Sequence, residues 1–185
     1  MKQLIILAFF LGSMPIIAGE LSKYNSAFEN SSFDDFPGWD RKQAITINSS
    51  MVWGSTTFTD FPFLVTLDHL DDEIVDGGSN SALNGGGDIR FSSDAAGNNR
   101  LAVEVVEFVT SATSANRKCQ IWVKIPSLSP TTDTTIYIWY NKVGEVQPPT
   151  NDPYGSQAVW DNYYFVSHDG YYDSATNQNL TVNGT

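Results

Sequence analysis

Gln120-Ile121-Trp122-Val123-Lys124-Ile125-Pro126-Ser127-Leu128-Ser129 and, after a short turn, Thr134-Thr135-Ile136-Tyr137-Ile138-Trp139-Tyr140 decide the fold class. Both runs are rich in β-branched and aromatic residues and are bounded by Ser, Pro, Thr and Asp, which favour turns. In an extended chain successive side chains point to opposite faces. Cys119, Ile121, Val123 and Ile125 therefore share one face of the first strand, with Trp122 on the other. In the second strand Ile136, Ile138 and Tyr140 oppose Tyr137 and Trp139.

Outward from this pair, strand character recurs at residues 44–48 (Ala-Ile-Thr-Ile-Asn), 63–67 (Phe-Leu-Val-Thr-Leu), 89–92 and 101–109. The separators are Gly, Pro, Asn, Asp and Ser, and the chain after its N-terminal apolar run contains no amphipathic helix of three turns. Many short strands with turn signals predict an all-β fold, an antiparallel β-sandwich of jelly-roll type over residues 42–141. Residues 70–87 form a long acidic, glycine-rich connection, expected to be mobile without a ligand. Residues 146–157, with Pro148, Pro149 and Pro153, read as a stiff linker.

The chain has 185 residues and a formal net charge of −11. Residues 1–18 have the order of a secretory signal peptide: Lys2, an apolar run from Leu4 to Leu11, then Gly12, Ser13, Pro15 and Ala18. That run is too short to span a bilayer. Export to an extracellular, cell-surface or periplasmic location follows, with residues 19–38 as a leader. The acidic balance disfavours nucleic acid and anionic membranes as partners. Cys119 is the one cysteine, so no internal disulfide is available and stability must come from core burial. Its parity with Ile121 and Val123 predicts a buried, unpaired thiol.

Several phrases occur in an order that resembles a family of secreted bacterial modules known as domain of unknown function 2341. They are Trp39-Asp40-Arg41-Lys42 before the first strand, Phe61-Pro62-Phe63-Leu64-Val65, Gly85-Gly86-Gly87-Asp88-Ile89-Arg90-Phe91, and the strands around Trp122 and Tyr137. The resemblance covers residues 39–145 and implies a module without known activity. Asp152-Pro153-Tyr154-Gly155-Ser156-Gln157-Ala158-Val159-Trp160-Asp161, then Phe165-Val166-Ser167-His168 and Tyr172-Asp173-Ser174, is similar to the opening of a laminin-G or concanavalin A-like lectin domain. That likeness implies an incomplete lectin-like start over residues 158–185, with His168 packed in a strand. A strand over residues 158–166 would pack through Val159, Trp160 and Phe165, and the Ser-, Thr-, Asn- and Gly-rich residues after Asp173 would be disordered.

Three kinds of chemistry are open to these residues. Asp71, Asp72, Asp76 and Asp88 supply hard oxygen ligands suited to Ca²⁺, although the spacing is not that of an EF-hand and a solvated acidic loop is the commoner outcome. Trp122, Tyr137 and Trp139 could form an exposed aromatic strip that stacks on a polysaccharide or glycoprotein glycan, or could be covered by a second packing layer. Paired carboxylates could hydrolyse glycosides, but Glu104 and Glu107 fall on opposite faces of a regular strand. His69 and His168 lack metal-ligand spacing, and Gly85-Gly86-Gly87 precedes a strand rather than a helix. The sequence thus reads as a non-catalytic surface module that spaces or docks a downstream lectin-like domain. The alternatives are a carbohydrate-binding module and a fragment of a secreted hydrolase.

Overall fold

The computed structural model describes residues 36–168, 172–176 and 178–179, all within the compact unit Asp34–Thr185. The expected signal peptide, most of the expected leader and most of the residues after Asp173 lie outside the described residues. Seven strands build two antiparallel sheets. They are β1 (Arg41–Ile47), β2 (Phe58–Val65), β3 (Arg90–Ser92), β4 (Arg100–Leu101), β5 (Val103–Val109), β6 (Lys118–Leu128) and β7 (Thr134–Tyr140). The first sheet has the order β1-β7-β3-β4 and the second β2-β6-β5. A short hairpin, β8 (Tyr172–Asp173) with β9 (Gln178–Asn179), follows. The all-β sandwich expected from the sequence is the fold.

Parity places the core. Ile45, Ile47, Phe91, Ile136 and Ile138 from the first sheet meet Val65, Val103, Ile121, Val123 and Ile125 from the second, all buried. Burial of each such side chain contributes about 1.5–3 kcal/mol.

Two features break the regular pattern. The expected strand over residues 101–109 is divided at Ala102: Leu101 pairs with Phe91 in the first sheet, whereas Val103 pairs with Val123 in the second. The chain turns a corner between the layers there, as strands that switch sheets do. The ladder then shifts register between Val105 and Glu107. This bulge moves core occupancy from odd positions (Val103, Val105) to Phe108. Glu104 pairs with Trp122 and Glu107 with Gln120, two positions on one face of β6, so both carboxylates stand on the outer face. The expectation of opposite faces fails because the bulge inserts one residue between them.

The connection over residues 70–87 contributes to the core, which its composition does not announce. It carries a one-turn helix, Asp72–Val75, whose Ile74 and Val75 enter the core together with Ala82. An apolar pair in a glycine-rich stretch is thus fully part of the core.

Asp88 and Arg90 explain the Asp-Ile-Arg-Phe phrase. The Asp88 carboxylate is fully buried and accepts backbone N–H bonds from Leu83 (2.9 Å), Asn141 (2.8 Å) and Lys142 (3.1 Å). Its backbone oxygen accepts from the Trp39 indole. Arg90, also buried, donates to the carbonyls of Gly87, Ile89 and Val146 and pairs with Glu145 at 3.1 Å. Together they fasten the chain leaving β7 to the turn entering β3. The 146–157 segment, expected as a stiff linker, packs on the sandwich: Val103 N–H donates to Tyr154 O at 3.1 Å and Arg100 lies 4.3 Å from the Tyr154 ring centre. A side chain at Gly155 would meet the Pro149 carbonyl at 2.1 Å, so only glycine fits where the segment folds on itself.

Candidate functional site

The outer face of β5 and β6 carries Glu104, Trp122 and Lys124, and residues 158–168 lie over it. Trp160, 4% exposed, packs edge-to-face on Trp122 with ring centres 5.2 Å apart. The His168 ring stacks on Trp122 at 5.8 Å with 19° between planes. Val159 and Ala102 are buried in the same cluster. Offset and edge-on aromatic pairs of this kind add about 0.5–1.5 kcal/mol each beyond the area they bury.

Glu104 is the polar centre of this layer. Only 8% exposed, its Oε2 accepts the Trp160 indole N–H at 2.5 Å and lies 3.0 Å from His168 Nε2. A buried carboxylate is costly unless its oxygens are bonded, and here the covering segment supplies the donors. At the edge of the cluster Lys124 Nζ sits 2.7 Å from both carboxylate oxygens of Asp161. Further along, Asp173 accepts the Val166 N–H at 2.9 Å, and Ser174 N–H donates to Val166 O at 2.7 Å. A cavity of about 240 Å³ opens between Glu104, Val105, Val106, His168, Tyr172 and Ser174. Trp122 Nε1 is buried without a hydrogen-bond partner among the described residues.

Ser156–Val159 is a helical turn rather than the start of a strand. Gly155 and the Asp152 carbonyl that accepts its N–H set up a turn, and a helical turn follows at once. Val159 and Trp160 pack as expected. Phe165 does not; it is 54% exposed. His168 lies outside any strand and is held instead by Glu104 and Trp122.

The aromatic strip is not an open platform. Trp139 is 3% exposed; its indole donates to Ser92 Oγ at 2.8 Å, and Phe36 covers it at 5.2 Å between ring centres. Gly97 lets the neighbouring loop approach. Its φ is +84°, and a Cβ there would stand 2.8 Å from the Phe36 ring and 3.1 Å from Trp139. Tyr137 shares that outer face and is half-buried, while Trp122 is covered by Trp160 and His168. Parity assigned these rings to outer faces correctly, but second layers from the two ends of the described chain cover them.

The acidic residues suggested as Ca²⁺ ligands do not converge. Asp72 pairs with Arg117 at 3.0 Å, and Asp76 accepts the Gly78 N–H at 2.7 Å. Asp71 is exposed at the start of the helical turn, and the Asp88 oxygens are occupied by backbone donors. Among the described residues no three His, Cys, Asp or Glu side chains could hold a metal ion together. Cys119 sits on the core side of β6, half-buried and free, with Sγ 3.5 Å from Val65 O. Burial pushes its thiol pKa up to about 12.

Glu104 and Trp160 escaped the sequence reading as a pair. Trp160 belongs to a helical turn outside both sheets, and the one signal, that Glu104 faces Trp122 on the neighbouring strand, becomes visible only once register is known. Comparison of the chain with protein-family models, curated proteins and solved structures gives no significant match.

Proposed function

We propose that this chain is a non-catalytic, exported β-sandwich module whose outer β5–β6 face docks the segment that follows it, and through that segment a downstream lectin-like domain. One observation carries the reading: Trp160 is buried against Trp122 while its indole N–H satisfies the buried Glu104 carboxylate. Such a joint fixes the direction in which the chain leaves the sandwich. A spacer that merely tethered its neighbour would need no buried polar contact to it. The acidic surface suits a soluble external module, since like charge opposes self-association. The ordered sequence phrases that resemble domain of unknown function 2341 and a lectin opening point the same way.

A double-mutant cycle with Trp122→Ala and Trp160→Ala tests it. The two changes should be non-additive by about 0.5–1.5 kcal/mol in unfolding free energy, the range for a direct aromatic pair. Additive effects would mean that the rings do not recognise one another and would remove the support for docking.

A further inference from the structure

Besides Tyr163, Tyr164 and Phe165 in the C-terminal segment, a second group of exposed aromatics lies at the end of the sandwich where β1 passes to β2. Asn48-Ser49-Ser50-Met51-Val52-Trp53-Gly54-Ser55-Thr56-Thr57-Phe58-Thr59 carries no charged residue and is rich in hydroxyls. Within it Trp53 is 93% and Met51 81% exposed. Phe58 and Phe61 stand with ring centres 5.8 Å apart and are partly open to solvent. Together with Ile47 and Leu128 these residues border a cavity of about 300 Å³.

The segment is anchored. Asp133 accepts both the N–H and the hydroxyl of Ser49 at 2.8 Å, and Asn48 caps the turn by accepting the Ser50 N–H at 2.9 Å. Gly54, with φ +113°, turns the chain directly after Trp53. The 129–133 turn also borders a second cavity, of about 420 Å³, where the hydroxyls of Ser127, Ser129, Thr132 and Thr134 and the Asp133 carboxylate stand beside Ile125, Pro126 and Ile136. One end of the sandwich therefore presents an apolar aromatic hollow beside a cleft that carries several hydroxyls.

We propose that this end binds a neutral saccharide, with Trp53 as the stacking ring and the Ser and Thr hydroxyls as partners for sugar hydroxyls. A flat indole offers apolar area to the C–H face of a sugar ring. Contiguous exposed apolar surface on a soluble protein marks a binding site. No lysine or arginine borders either cavity, so a phosphate or carboxylate would meet no counter-charge, and the acidic chain repels anionic glycans and membranes. A purely apolar occupant would leave the adjoining hydroxyl cleft unused. The site is separate from the docking face on β5–β6 and does not depend on it.

Isothermal titration of the full chain with cellohexaose, xylohexaose, mannohexaose and chitohexaose, and with anionic hexagalacturonate, tests the assignment. At least one neutral hexasaccharide should bind at up to millimolar concentration, and hexagalacturonate should not. Trp53→Ala should weaken that binding roughly tenfold or more, and Trp53→Phe by a smaller factor, since one stacking contact is removed or reduced. Trp53 is almost fully exposed, so the circular dichroism and melting of Trp53→Ala should match the parent and separate binding from folding. The proposal is overturned if none of the four neutral probes binds, or if Trp53→Ala binds as the parent does. It is also overturned if sedimentation shows a Trp53-dependent dimer, which assigns the patch to a second copy. Trp53-dependent partition onto neutral phosphatidylcholine vesicles would likewise overturn it in favour of a lipid surface.

Discussion

Asp88→Asn should destabilise the protein through hydrogen bonding alone, with almost no change in shape. One carboxylate oxygen takes the Leu83 N–H, and the other takes those of Asn141 and Lys142. An amide can present only one oxygen. Its favoured orientation keeps that oxygen toward Asn141 and Lys142 and turns the NH₂ group toward the Leu83 N–H. One charge-assisted bond is then lost in a fully buried place, and two others become neutral. Bonds to charged groups contribute about 1.5–3 kcal/mol and neutral ones about 1 kcal/mol. The sum is at least about 2.5 kcal/mol and up to about 7 kcal/mol, so the melting temperature should fall by roughly 5 °C or more for a domain of this size. Thermal unfolding followed by circular dichroism, in chelator and again in millimolar Ca²⁺, is the assay. If Asp88→Asn melts like the parent in chelator and differs only when Ca²⁺ is present, Asp88 is a metal ligand and the backbone-pin account is wrong.

Three further outcomes follow from the same geometry. Cys119, with its pKa raised to about 12 by burial, should react with iodoacetamide at pH 8 far more slowly than a free thiol of pKa about 8.5; labelling at the free-thiol rate would place it at the surface. Gly97→Ala should cost about 1–3 kcal/mol, because φ is +84° and the new Cβ would press on Phe36 and Trp139; an unchanged melting temperature would mean that the loop does not cover Trp139. Burial alone would raise the Asp94 carboxyl pKa, but N–H bonds from Asn99, Asn98 and Ala96 outweigh it and hold the pKa below the ordinary value. Its stabilising contribution is therefore present above the unfolded value of about 3.9 and is lost as the pH falls through the folded value. The parent should lose more stability than Asp94→Ala as pH is lowered from 5 to 2, and parallel curves would contradict this.

Strands β6 and β7 were legible because their β-branched residues alternate without interruption, and alternation is what a half-buried strand requires. The same signal misled at residues 101–109. Leu101, Val103 and Val105 keep their alternation through the sheet switch at Ala102, and the bulge after Val105 depends on a partner strand that a single sequence does not reveal. Ile74 and Val75 were hidden by the surrounding Gly and Asp, since one helical turn has no period to detect. The parity of Trp122 and Trp139 was readable, whereas their covers come from residues distant in sequence. Trp53 has the opposite history: its neighbours Met51 and Val52 make it look like interior sequence, yet the turn held by Asp133 displays it to solvent.

The docking of the C-terminal segment on the β5–β6 face is tested most directly by removing it. A chain ending at residue 150 loses Val159 and Trp160 from beside Trp122 and Ala102, and leaves the Glu104 carboxylate without Trp160 and His168. Deleting a buried aromatic alone costs about 3–5 kcal/mol, so the melting temperature should fall by more than about 6 °C, with Trp122 emission shifting to the red as its ring is wetted. An unchanged melting temperature and emission spectrum would mean that the sandwich stands alone and that the segment does not dock.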